Sequence, residues 1–294
     1  MSDIEKFFFA DTYRIIVNII LFIAIILFGI FIYLVFSKKN SSFSIIFKIM
    51  LNVMISALLS GIGYILNWKK GQNENNEIYL IFENEAICKI QSVILGLFQT
   101  SRESFLVFLS FLIFLNYKNP NINFDKYKKL IGIMIYLIGY GIPLIANIIY
   151  IIVGGYGKSD LFCFTDKSSI SIIHYAYIIV LVGLNFYFTF YILFHEVYYK
   201  NKEENELLEE EDDNSCFNPL LKRLIFYPFA QIISLSGPIY YRIMFISKED
   251  SLEDAAGICA ILNCFSTFMH TFIFALSNNL IDCTKKNEIK EYQS

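Results

Sequence analysis

Between Cys88 and Leu115 the chain reads CKIQSVILGLFQTSRESFLVFLSFLIFL, an apolar run with a stripe of polar side chains. At roughly 100° per residue, Gln91, Ser92, Gln99, Arg102, Glu103 and Ser110 fall within about 60° of the direction of Cys88. The other faces are mostly Leu, Ile, Val and Phe. Arg102 lies about 21 Å along the helix from Cys88, at 1.5 Å per residue. That is deep in a bilayer core roughly 30 Å thick. A guanidinium at that depth is costly unless it faces protein or water, so this helix has to be central in a bundle. Adjacent positions point about 100° apart, so Arg102 and Glu103 are expected to take separate partners. The options are Asn52, Asn185, Glu196, Gln231, Asn263 and His270. Arg102, Glu103, Gln99, Asn52, Asn263 and His270 together read either as a polar network that fixes helix packing or as a lock whose partners change between two states.

Other chemistry finds little footing. His174, His195 and His270 fall at different depths of their segments, too far apart to share one ion, so neither a metal nor a cofactor is expected. No Lys lies between Asp254 and Asn278, which excludes a retinal Schiff base on the last span. Glu103 stands nearly alone as an intramembrane carboxylate, too few for a proton relay. Phosphate loops, HExxH, CxxC and nucleophile elbows do not occur, and no enzyme activity or nucleic-acid partner is expected.

The segments that must position these residues are apolar and long. The 294 residues are 56% hydrophobic and 17% charged, against about a quarter charged in soluble domains. An all-α membrane protein follows, with seven spans: 13–36, 45–66, 85–115, 129–153, 168–197, 220–246 and 254–278. The first span lacks a small-residue cleavage site and reads as a signal anchor. Basic residues concentrate on one side: Lys38 and Lys39 follow the first span, Lys118, Lys126, Lys128 and Lys129 flank the second inner loop, and Lys222 and Arg223 open the sixth span. The positive-inside rule then puts the N-terminus outside and the C-terminus in the cytoplasm. The predicted organisation is a short outer segment (1–12), a seven-span domain (13–278) and a cytoplasmic tail (279–294). The sequon Asn40-Ser41-Ser42 would be cytoplasmic, and the acidic run Glu203–Asp213 a solvated inner loop.

This topology sorts the cysteines by compartment. Cys88 and Cys163 both face the oxidising side, where a disulfide would tie the second outer loop across the mouth of the bundle. The alternative is two free thiols. Cys259 and Cys264 read as small core residues, and Cys283, beside Lys285 and Lys286, as a candidate palmitoylation site. In the sixth span Pro228 and Pro238 each remove a backbone hydrogen bond. They suit either a hinge that swings a charged foot or a kink that only shapes packing.

Three further stretches carry a resemblance: Tyr140-Gly-Ile-Pro-Leu-Ile145, the Arg223-Leu-Ile-Phe-Tyr-Pro228 opening with the Tyr241-Arg242-Ile243 ending, and Tyr117-Lys118 with Pro120 behind. With seven spans and the two outer cysteines, the chain resembles the G-protein-coupled receptors, in particular the cyclic-AMP-receptor-like branch with secretin/adhesion-type features. The resemblance implies a plasma-membrane receptor that binds a small extracellular ligand and activates a heterotrimeric G protein. Arg242, Phe162 and Phe164 are then the candidate ligand contacts. Lys118, Lys126, Lys128, Lys129, Lys222 and Arg223 are the candidate G-protein contacts, and Pro228 and Pro238 the hinge. The alternatives are a seven-helix transporter or channel lined by Gln99, Arg102 and Glu103, or a receptor-like scaffold without G-protein coupling. A channel predicts a continuous polar route, which the Phe/Ile/Leu-rich inner end of the third span opposes.

Overall fold

The computed structural model describes residues 3–37, 45–65, 70–72, 78–80, 85–119, 124–158, 163–165, 170–203, 226–246 and 252–276. Phe162, Lys222, Arg223, Cys283, the Asn40 sequon, the tail and the acidic run beyond Glu203 lie outside them. Among the described residues seven long helices follow one another: α1 (Asp3–Ser37), α2 (Ile45–Ile65), α3 (Glu85–Lys118), α4 (Lys128–Ile152), α5 (Ile170–Glu203), α6 (Phe226–Ile246) and α7 (Leu252–Leu276). Six carry stretches long and apolar enough to cross a membrane. The remaining one, α6, has 21 residues, about 30 Å, and dilutes its apolar character with Gln231, Ser234, Ser236 and Arg242. The chain is a helical, multi-pass membrane protein. Its first helix starts at Asp3 rather than Tyr13, since no Pro or Gly interrupts Asp3–Thr12.

The central place expected for α3 is the one it takes: 72% of its span is buried, against 17% for α1 and 28% for α4 and α5. Two apolar clusters pack around it. One, at the end bearing the Cys88–Cys163 disulfide, joins Val17, Tyr64, Leu95, Phe164, Tyr241 and the small residues Ala255, Ala256, Cys259, Ala260 and Cys264. The other, toward the far end, joins Ile49, Val53, Phe105, Leu109, Leu112, Ile113, Ile135, Ile192 and Tyr227 among others. Between them runs a buried polar belt that includes Gln99, Arg102, Glu103, Gln231, Ser234 and Asn263.

Local breaks in the helices follow from sequence. Pro143 has no N–H to give the Gly139 carbonyl, and α4 widens to a π-turn over Leu137–Gly141, with the Ile142 N–H reaching Leu137 O. The end of α4 closes on Gly154 at φ 71°, where Gly154 N–H donates to Ile151 O (3.2 Å) and Gly155 N–H to Tyr150 O (2.8 Å). This is the left-handed cap that glycine adopts without penalty. It turns the chain back into a hairpin of β3 (Tyr156–Lys158) and β4 (Cys163–Thr165), after an earlier pair, β1 (Lys70–Gln72) and β2 (Ile78–Leu80). In the second hairpin Tyr156 faces Thr165, Gly157 faces Phe164 and Lys158 faces Cys163. Within α6, Pro238 leaves the carbonyl of Ser234 without its helical N–H donor. Pro228 is the third residue of the described part of α6.

Candidate functional site

The polar belt is a connected chain of hydrogen bonds. Arg102 donates from Nε (2.8 Å) and Nη2 (2.6 Å) to Glu103 Oε1. Nη2 also donates to Ser234 Oγ on α6. Ser234 Oγ donates in turn to Asn263 Oδ1 on α7 (2.9 Å), and Asn263 Nδ2 to Cys259 O one turn away (3.1 Å). The second Glu103 oxygen accepts from Gln231 Nε2 on α6 (2.5 Å). Gln231 Oε1 accepts from Asn185 Nδ2 on α5 (2.5 Å), and Asn185 Oδ1 from Ser110 Oγ, back on α3. One branch therefore links α3, α6 and α7, and the other forms a loop from α3 through α6 and α5 to α3.

This corrects one expectation. Arg102 and Glu103 were to need separate partners, yet they form one ion pair at 2.6 Å. The 100° divergence holds for the Cβ atoms, and the long arginine side chain curls sideways to close it. Both side chains are at most 1% exposed, so the pair is shielded from lipid and water alike. Its charge is internally balanced; Arg102 donates one further hydrogen bond to α6 and Glu103 accepts one from it, while Arg102 Nη1 has no partner among the described residues. Those extra bonds are what a buried ion pair requires to offset its desolvation.

The other predicted members divide. Asn263 joins the chain. Gln99, three residues before Arg102, is buried, and its Oε1 has no hydrogen-bond partner among the described residues. Asn52 stands apart on α2: its Nδ2 donates to Lys48 O (2.7 Å) and its Oδ1 accepts from Tyr140 Oη (3.0 Å). His270 is fully buried on α7 with its ring stacked on Tyr227 at 5.7 Å, and neither ring nitrogen has a partner among the described residues. Sequence reasoning missed Ser234, whose only signal was its position three residues after Gln231, on the same helical face. It also missed Tyr140, which the π-turn of α4 places between Asn52 and Ser56 of α2 and against the Phe105 ring at 4.8 Å.

At the disulfide end, Cys88 at the head of α3 is joined to Cys163 of β4, with Cα atoms 5.1 Å apart. Gln91, one turn along, reinforces the tie: its Oε1 accepts from Cys163 N–H (2.9 Å) and its Nε2 donates to Gly63 O of α2 (2.9 Å). The other strand is held by Tyr156, whose hydroxyl donates to Asn147 Oδ1 on α4. Burial, and the neighbouring Tyr150, raise the Tyr156 phenol above its ordinary value, so the phenol stays a donor. Gly96 makes this possible, because a Cβ there would overlap both Tyr156 Oη and Asn147 Oδ1. Phe164, predicted as a ligand contact, is 5% exposed and belongs to the apolar cluster of that end. Arg242 is half-buried at the same end with its guanidinium over the Tyr175 ring at 5.2 Å.

At the far end Lys118, Lys126, Lys128 and Lys129 are exposed, and Lys126 lies over the Tyr127 ring at 5.9 Å. Tyr117 of α3 and His195 of α5 meet there, Oη to Nδ1 at 2.8 Å.

Among the described residues the belt is one ion pair joined to amides and hydroxyls, a set that ties helices to one another. It can hold α3, α5, α6 and α7 in one register. A comparison with curated proteins finds no match. The sequence model of the 7 transmembrane receptor (Secretin family), however, matches residues 10–272, and the chain belongs to that family, within the G-protein-coupled receptors.

Proposed function

We propose that the chain is a receptor of the cyclic-AMP-receptor-like type, which takes a small extracellular ligand into its disulfide-end half and activates a heterotrimeric G protein from its far end. The observation that carries the reading is the belt itself: Arg102 and Glu103 on α3 are held through Ser234 and Gln231 on one face of α6. A ligand that disturbs this belt frees α6 to swing on Pro238 and Pro228, opening a cleft lined by Lys118, Lys126, Lys128, Lys129, Lys222 and Arg223. The disulfide end faces outward in this reading, with residues 1–12 outside, the receptor domain over 13–278 and the tail 279–294 in the cytoplasm of a plasma-membrane protein. The excess of basic residues at the opposite end supports that orientation. A conducting pathway is disfavoured by the far-end cluster, where Leu106, Leu109, Leu112 and Ile113 of α3 are all buried against apolar neighbours.

The test is a screen of small extracellular compounds in cells, read out by dissociation of co-expressed heterotrimeric G proteins. Compounds that act on the native chain and fail on Arg102→Ala, at matched surface level, are expected. Equal responses from both chains would remove the belt from the mechanism. Silence of every G-protein class, with the chain at the surface, would overturn coupling.

A further inference from the structure

The second hairpin does more than cap the bundle: it fills it. Phe164 follows the disulfide cysteine directly, and its ring belongs to the same buried cluster as Val17 of α1, Tyr64 of α2, Leu95 of α3, Tyr241 of α6 and Ala255, Ala256 and Cys259 of α7. From a sixth helix, α5, the edge of His174 meets it, ring centroids 5.6 Å apart. Space for a ring exists because α7 is trimmed to small residues along this stretch. Ala255, Ala256, Cys259, Ala260 and Cys264 are all at most 5% exposed, so the room is enclosed rather than open to lipid. The hairpin is held from both strands, by the disulfide and Gln91 at Cys163 and by Asn147 at Tyr156.

A second observation concerns His174. It is 2% exposed, and its ring meets Tyr150, Phe164 and Tyr175 at 5.2, 5.6 and 5.8 Å. Its Nε2 has no hydrogen-bond partner among the described residues. An unsatisfied buried ring nitrogen beside a phenylalanine is a polar group that the phenylalanine cannot serve. A ring of the same size with one hydroxyl or N–H would serve it.

We infer that Phe164 is a built-in occupant of an aromatic-binding pocket, and that the pocket accepts a small planar aromatic compound with one hydrogen-bonding substituent, its ring in the place of the Phe164 ring and its polar group on His174. The inference rests on the receptor reading only for its consequence in signalling; the pocket itself is defined by packing. Binding displaces the Phe164 side chain and breaks no covalent bond, since the disulfide holds Cys163 while the neighbouring ring swings out.

The experiment uses the full-length chain purified in detergent, with toluene, phenol and indole as probes and thermal unfolding as the readout. Phe164→Ala should lower the melting temperature by on the order of 10 °C. Phenol and indole should restore most of that loss saturably, at concentrations severalfold below toluene, and shift the native chain only at much higher concentration, because there the Phe164 ring competes for the same place. Adding His174→Ala to Phe164→Ala should erase the advantage of phenol over toluene. If no probe raises the melting temperature of Phe164→Ala more than that of the native chain, the pocket does not exist. If phenol keeps its advantage without His174, the assignment of the polar contact is wrong. Should Phe164→Ala fail to fold, Phe164→Leu leaves a smaller void, and the same comparison with the native chain applies. A G-protein assay on the native chain and the same variants separates the two claims: thermal rescue with no G-protein signal from any of them leaves the pocket and removes the receptor reading.

Discussion

A carboxylate and a guanidinium on successive residues share one hydrogen-bonded site in the middle of this protein, and each is intelligible only through the other. Glu103→Gln strands a buried cation, and Arg102→Met strands a buried anion, each at about 3–5 kcal/mol. Replacing both with methionine removes the charges together and should cost less than either single change, a reversal of additivity that thermal melting and surface expression would register. If the double variant loses the sum of the two single losses, the two groups are not coupled. Much of this was legible. Depth along the helix told that Arg102 had to be enclosed, and the candidate partners Asn185, Gln231 and Asn263 all belong to the observed chain. The direct pairing was not legible, because helical angles fix Cβ directions and say nothing of how a long side chain curls.

At the scale of elements, contacts between helices depend on where side chains are absent. A Cβ on Gly237 would lie 2.8 Å from Cys259 Cα and 3.1 Å from its carbonyl oxygen, and that backbone cannot give way. Gly237→Ala should therefore push α6 off α7 and cost about 1–3 kcal/mol, seen as a lower melting temperature. Gly29→Ala is the matched control: nothing lies within 4 Å of its Cβ, and removing a helical glycine should be neutral or stabilising by up to about 1 kcal/mol. Equal losses for both would mean that α6 and α7 are not in close contact at Gly237. Similarly, Cys88→Ser frees the hairpin from α3 and should lower stability by about 2–5 kcal/mol, with the same loss on reduction of the native chain. Indifference to reductant would deny the tie. Apolar length and composition located all seven helices in advance, and compartment located the disulfide. The π-turn of α4 escaped, since Pro143 was read as part of a motif and its missing N–H was not traced back to Gly139.

For the molecule as a whole, the two ends differ in kind. One end is plugged by a tethered hairpin, and the other presents Lys118, Lys126, Lys128 and Lys129 to solvent. Reversing three of these charges together (Lys126→Glu, Lys128→Glu, Lys129→Glu) should leave melting unchanged, as exposed charges contribute little to stability. It should weaken G-protein activation severalfold, more so at low ionic strength. Full activation by the triple variant would place the coupling surface elsewhere. Membership of the G-protein-coupled receptors was legible from seven spans and two cysteines, whereas the family match is to the secretin receptors and does not reach the cyclic-AMP-receptor-like branch. The burial of Phe164 was not legible, because a sequence shows an aromatic residue beside the loop cysteine without showing which neighbours its ring packs against.

Pro238 withholds an amide from the carbonyl of Ser234, and the hydroxyl of that same residue grips Arg102. Flexure and grip thus meet at a single amino acid. In the proposed movement of α6, the far half tilts at the proline only as its clasp on α3 opens. On that reading the joint acts as a detent, with two seated positions and little between, and graded stimuli reaching it would be returned as all-or-none steps.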